Sequence, residues 1–183
     1  MYNRLYKYLL DHEILYPKQF GFQAGHSTDH AILQLVDQIH QSFEENRYTL
    51  GVFIGLSKAF DTVDHEILLK KLQFYGIDGI TNKWFKNYLT NRKQYIQFTE
   101  VEKTDLQLVK CRVPQGSILG PLLFLLYVND LPSASQLLDP IIFADDTNLF
   151  YSDENINTLF TTVNNELQKA LTKCQENKIL VFS

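Results

Sequence analysis

The chain has 183 residues, 45% of them hydrophobic, and a formal net charge of −4. That is enough for one real core, as a domain plus an appendage, and it excludes any chain-wide electrostatic argument for a nucleic-acid partner. The longest apolar run, ILGPLLFLLYV, is too short to span a bilayer and contains Gly and Pro, so no membrane association is expected.

In chain order, residues 2–13 read as a short helix with Leu5, Tyr6, Leu9 and Leu10 on one face. YPKQFGFQAGHS is a loop punctuated by Pro17, Gly21 and Gly25. Ser27 is a good N-cap for a helix whose stripe is Ile32, Leu35, Val36, Ile39 and Phe43. YTLGVFIGL, residues 48–56, has the length and density of a central strand buried on both faces. Asp61 to Tyr75 returns to helix, with Ile67, Leu68, Leu72 and Tyr75 inward and Gly76 as the stop. TNKWFKNYLTN predicts another short helix, and the alternating segments KQYIQFTE and LQLVKCRV predict a hairpin.

From Lys83 to Arg112 seven basic residues stand against three acids, a surplus that suits either a polyanion or a solvated hairpin surface. Pro114 and Gly116 mark a turn before a helix at roughly 117–130, and PIIFA and TNLFY are two short strands. Ile156, Leu159, Phe160, Val163, Leu167, Leu171 and Cys174 define a last amphipathic helix, after which KILVFS begins a strand with no partner downstream. That ending, and the opening inside a helix, read as a piece of a larger protein or as a truncated copy of one. Cys111 and Cys174 form neither a framework nor a CxxC pair; they read as ordinary core thiols in a reducing intracellular setting, nuclear or cytoplasmic.

Three stretches carry chemistry. In PIIFADDTNLFYSDE, residues 140–154, Asp145 and Asp146 interrupt an apolar run. Neighbouring carboxylates repel, and burying them costs several kcal/mol apiece without a compensating cation. A hard divalent ion held by one or two carboxylates plus substrate phosphates meets that need, where a lone Asp-Asp pair would be an ordinary solvated turn. In VPQGSILGPLLFLLYVNDLP, residues 113–132, Gln115-Gly116-Ser117 sits at a helix start, where a glycine and free N–H groups allow close approach of a phosphate or base. In FIGLSKAFDTVDH, residues 53–65, a strand enters a helix through a polar corner, and Lys58 is either a phosphate contact or a surface lysine.

LSKAFDTVDHEILLKKL, VPQGSILGPLLFLLYVNDLP and FADD together resemble the reverse transcriptase domain of non-LTR retrotransposons, the jockey-like and related elements, and QFGFQAGHSTDHAI is similar to the fingers motif of that family. The LSKAFDTVDH and PLLFLLYVNDLP wording favours this branch over a group II intron maturase. The resemblance spans essentially the whole chain. It implies an α+β fold, the fingers and palm of a right-hand polymerase with a ferredoxin-like antiparallel palm sheet backed by helices and no thumb. Residues 1–47 would be fingers-side helices and 48–183 the palm, with an inserted helix and hairpin at about 82–113. It implies RNA-directed DNA polymerisation from an RNA template, a DNA primer and deoxynucleoside triphosphates, with Mg²⁺ (or Mn²⁺) in a two-metal mechanism. Asp145 and Asp146 match the catalytic metal-binding aspartates. Phe60 matches the aromatic position that excludes a 2′-hydroxyl, Gln115 and Gly116 the nucleotide pocket and template segment, and Ala144 a position near the primer end. Nothing in the sequence fixes an oligomeric state.

Two departures bear on activity. The family usually reads DLSKAFD, with the first aspartate binding both metals; this chain has Gly55 there. Asp61 has its own place in the motif, and Ser57 is a neutral hydroxyl, so neither replaces it. The fingers motif commonly carries a basic residue where this chain has Gln23. The expectation is an impaired polymerase fragment; the alternative is a catalytically dead palm that binds RNA or a protein.

Overall fold

The computed structural model describes residues 1–90, 93–94, 107–108, 111–113 and 116–181. The chain runs α1 (Tyr2–Asp11), α2 (Thr28–Glu44), β1 (Tyr48–Ser57), α3 (His65–Phe74), α4 (Gly79–Leu89), β2 (Lys93–Gln94), β3 (Gln107–Leu108), α5 (Gly120–Val128), a 3-10 turn (Leu131–Ala134), β4 (Asp139–Phe143), β5 (Asp146–Asp153), α6 (Ile156–Glu176) and β6 (Leu180–Val181). Four strands form an antiparallel sheet in the order β4-β5-β1-β6. β2 and β3 pair antiparallel at Lys93–Leu108 and Gln94–Gln107, and most of the rest of the hairpin expected over KQYIQFTE and LQLVKCRV lies outside the described residues. The fold is thus α+β, an antiparallel sheet with helices on its faces.

Period two divides the sheet. Leu50, Val52 and Ile54 of β1 join Leu149 of β5 against Leu159 and Val163 of α6. On the other face Ile141 and Phe150 meet Phe20 and Leu35, the latter from α2. The larger core surrounds α5, whose residues Leu122 to Val128 are all buried, packed with Leu5 and Leu9 of α1, Leu68 and Leu72 of α3, and Phe85 and Leu89 of α4. Each fully buried leucine stabilises by about 2 kcal/mol, so α5 is the apolar centre of the molecule.

Local signals fix most boundaries. The Ser27 hydroxyl accepts from His30 N–H at 3.4 Å, capping α2 as expected. Asp64 caps α3 through Glu66 and Ile67 N–H, so that helix begins at His65, not Asp61. Gly76 ends it at φ +81°, where a side chain would be strained. α5 is shorter than expected, because Ser117 Oγ accepts from Gly120 N–H and Pro121 sets the first turn.

Other expectations fail on burial. β1 is not covered on both faces: Phe53 is 70% exposed, and among the described residues its edge opposite β5 is paired only at Leu56 and Ser57. The α2 stripe is largely uncovered, with Ile32, Val36 and Phe43 exposed, as are Leu10 on α1 and Phe160 on α6. Their periodicity is amphipathic, but no described element lies over them. KILVFS does find a partner, upstream: Leu180 and Val181 pair with Ser57 and Leu56. Cys174 is buried, whereas Cys111 is exposed on a bridge to Asp64 and is no core thiol.

Candidate active site

β4 and β5 are joined by a two-residue turn. Phe143 and Asp146 form their last pair, leaving Ala144 and Asp145 between them. Ala144 has φ +57° while Asp145 keeps a negative φ, the pattern of a type II′ hairpin. Asp145 is half-buried and Asp146 exposed at this tip. β1 runs beside it, and the register sets Gly55 directly opposite Asp146. Opposed residues of an antiparallel pair project on one face with Cβ atoms about 4.5–5.5 Å apart. A side chain at position 55 would therefore emerge beside Asp146, and Gly55 supplies none. Among the described residues no group of three or more His, Cys, Asp or Glu side chains is gathered as a metal site.

The acidic neighbours are engaged elsewhere. Asp61 accepts from Arg112 Nε at 3.0 Å and Nη2 at 2.7 Å. Asp64 caps α3 and accepts from Lys178 at 2.6 Å. Partial burial pushes the Asp64 carboxyl up, but Lys178 and the two backbone N–H groups outweigh it and hold it below the usual carboxylate range. Lys58 is exposed, with a left-handed backbone at the corner after β1.

Phe60 follows that corner. Its ring stacks on Phe124 of α5 at 4.4 Å and meets Phe22 edge-on at 5.8 Å. Its carbonyl accepts from Val113 N–H at 3.1 Å, and Val63 O accepts from Arg112 N–H at 2.9 Å. These bonds stitch Arg112 and Val113 to the polar corner. Gly116 is an exposed turn residue at φ +75°. Gln115 lies outside the described residues. The fold therefore brings Asp145, Asp146 and Ala144 together at the hairpin tip, with Gly55 opposite, while Phe60 belongs to the adjoining corner.

The sequence reading missed two groups of residues. Gln19, 3% exposed, accepts at Oε1 from the N–H groups of Gly21 (2.9 Å) and Ala144 (3.0 Å). Its only sequence signal was its place in QFGF. The second group lies under the sheet, where Asp130 accepts from Lys71 (2.5 Å), Lys173 (3.1 Å) and Asn177 (3.1 Å). Burial pushes Asp130 up, yet its two cations hold it below the usual carboxylate range. Lys71 also donates to Tyr127 O, and burial holds its ammonium below the ordinary lysine range despite Asp130. Next to it, Asn129 Oδ1 accepts from Tyr16 N–H at 2.8 Å and its Nδ2 donates to Ile14 O at 2.7 Å. The NDLP turn is thus a structural anchor for the α1–α2 loop.

An antiparallel sheet with adjacent carboxylates at a hairpin tip beside a neighbouring strand's end, backed by buried helices, has the layout of a polymerase palm. The chain belongs to the reverse transcriptase (RNA-dependent DNA polymerase) family, which it matches over residues 1–183, and its relatives place it in the non-LTR retrotransposon branch. It is 34% identical over 168 residues to the probable RNA-directed DNA polymerase from transposon BS of Drosophila melanogaster, covering 85% of this chain and 18% of that protein. It is 28% identical over 151 residues to the RNA-directed DNA polymerase from mobile element jockey of the same organism, covering 75% of this chain and 16% of the relative. The chain thus spans less than a fifth of the length of these curated relatives. Telomerase from Candida albicans, solved with a TWJ fragment of telomeric RNA, shares the fold with a TM-score of 0.64 at 14% identity, covering 98% of this chain and 34% of that one. Among the described residues no helix is long and apolar enough to cross a membrane.

Proposed function

We propose that this domain is the palm and part of the fingers of an RNA-directed DNA polymerase, that it uses an RNA template, a DNA primer and deoxynucleoside triphosphates, and that this copy is impaired at the cation step. The observation that carries the reading is the register of Gly55 opposite Asp146. Asp145 and Asp146 fit one Mg²⁺ or Mn²⁺ shared with substrate phosphates, but without a carboxylate at 55 they do not complete a two-cation set. A cation there supplies Lewis-acid stabilisation of the phosphoryl group in transfer. The Phe60 ring, braced by Phe124, excludes a 2′-hydroxyl by bulk. The turn at Gly116 serves the nucleotide and template side, a role that the family motif gives to Gln115 as well, and Ala144 serves near the primer end. Losing a carboxylate that bridges cations removes several kcal/mol of stabilisation, roughly three orders of magnitude in rate.

The test is primer extension on an RNA template, with the domain placed between the flanking fingers and thumb of an intact jockey-type relative. Gly55→Asp should support Mg²⁺-dependent extension, and Gly55 should give a trace at most. Equal extension by both would overturn the assigned role of position 55. The same missing carboxylate favours, as a second reading, a palm that holds RNA without chemistry. Filter binding of primer–template that is equal with and without Mg²⁺, in a chain that never extends, would favour it.

A further inference from the structure

We infer that Gln19 is a positioning residue for the Asp145–Asp146 turn, clamping the backbone of Ala144 so that the two carboxylates are presented in one geometry. The inference rests on the reading of those aspartates as cation ligands and adds the device that aims them.

The argument starts with the turn. Ala144 holds φ +57°, a conformation L-residues avoid, and it is 6% exposed. Strained backbone persists only where its surroundings over-determine it. The first central N–H of a two-residue turn makes no cross-strand bond, and a buried N–H without a partner is costly. Gln19 answers both needs. Its Oε1 accepts from Ala144 N–H at 3.0 Å while also accepting from Gly21 N–H at 2.9 Å, and its Nε2 reaches Ala144 O at 3.5 Å. One buried amide thus meets both polar groups of the strained residue. Being neutral, it adds no third charge beside two carboxylates.

The rest of the loop fixes Gln19. Phe20 N–H donates to Ile142 O at 2.7 Å and Ile142 N–H to Lys18 O at 2.9 Å, so residues 18–20 lie on β4 like a short parallel strand. Lys18 pairs with Asp139 at 2.5 Å, and Tyr16 donates to Pro140 O at 3.1 Å. Gly21 then passes so close that a Cβ there would lie 2.3 Å from Ala144 N. The loop is held on β4 independently of the amide clamp, and that separates positioning from mere attachment.

The test uses the full chain, isotopically labelled, with Gln19→Met (similar size, no acceptor) and Gln19→Glu (acceptor oxygens kept). Amide exchange is read at Ala144 and Gly21 against Phe20 and Ile142, and Mn²⁺ affinity by the electron paramagnetic resonance of free Mn²⁺. In Gln19→Met the Ala144 and Gly21 amides should exchange about tenfold faster, with Phe20 and Ile142 unchanged, the size expected for one lost hydrogen bond. Mn²⁺ affinity should fall severalfold, and Gln19→Glu should restore amide protection. Native exchange and native affinity in a folded Gln19→Met chain would overturn the inference. So would equal loss of protection at Phe20 and Ile142, which makes Gln19 an attachment only. Should Gln19→Met not fold, the native chain decides: an unprotected Ala144 amide there overturns the clamp. Asp145→Asn/Asp146→Asn separates the two readings. Mn²⁺ binding that survives it defeats the cation assignment, and the exchange pattern judges the clamp by itself.

Discussion

Gly55→Asp should turn the stability of this domain into a reporter of divalent cation. The new carboxylate would sit across the β1–β5 pair from Asp146, on the same face, at about 5 Å. Because Asp146 is exposed, water screens the pair, and the repulsion is about 0.8 kcal/mol, not the several kcal/mol of a buried site. For a chain of this size that is about 2–3 °C in Tm, so the variant should melt below the native chain in chelator. A cation bound only by the folded state then reverses the order. At a hundredfold excess over its dissociation constant it contributes about 2.7 kcal/mol, or about 5–10 °C. The native chain, with two carboxylates and a dissociation constant of about 1 mM, should gain about 1.4 kcal/mol, or about 3–6 °C, at 10 mM Mg²⁺ by the same mass action. Parallel melts in EDTA and in Mg²⁺, followed by circular dichroism, read the crossing directly. A Gly55→Asp chain that gains no more than the native one, or one whose gain persists with Asp145 and Asp146 both changed to Asn, would falsify the proposed convergence of the three positions.

Asp130→Asn strands the part-buried Lys71 ammonium and should cost about 3 kcal/mol in urea denaturation, whereas Lys71→Met, which leaves Asp130 with Lys173, should cost less. Asp64 and Asp130 both sit below the ordinary carboxylate range, so the stability they contribute is complete above their unfolded value of about 3.9 and is lost as pH falls through their lower folded values. A pH series of melts should show that acid loss, reduced in the Asp130→Asn chain. Thr147 is buried with its hydroxyl unpaired, so Thr147→Val should raise Tm by about 2–4 °C, as removal of an unsatisfied polar group does. Gly21→Ala drives a methyl into the Ala144 backbone and should cost about 1–3 kcal/mol and lower Mn²⁺ affinity, measured by melts and titration.

The sequence was most legible where one residue's chemistry decides a local structure. Ser27 starts α2 and Gly76 stops α3 as read, and the apolar flanks of Asp145 and Asp146 place them at a hairpin tip. Asp64 could have been read the same way; as an N-cap it moves the start of α3 past Asp61. Burial was less legible, because periodicity says which residues share a face and not what lies over it. Phe53 on β1 and Phe43 on α2 are apolar, in period and exposed. The contacts of Gln19 with Ala144 and of Asp130 with Lys71 and Lys173 could not be read at all, since each joins segments far apart in sequence through side chains with no periodic signature. The opposition of Gly55 and Asp146 is of the same long-range kind, yet the family resemblance made it expected.

β1 and β5 match in eight consecutive pairs with no bulge, and that regularity makes the site intolerant of changes in chain length. If one codon were deleted between Tyr48 and Ile54, and the N-terminal half of β1 held its place, Leu56 would stand opposite Asp146. Every later side chain of the strand would then turn to the other face. If the C-terminal half held instead, Leu50 would rotate away from α6 and Tyr48 would shift with it. A two-codon deletion would preserve the faces and only shorten the ladder. Among drifting copies of such an element, the parity of gaps before position 55 should therefore separate sheets that still assemble from sheets that do not, even where every aspartate survives.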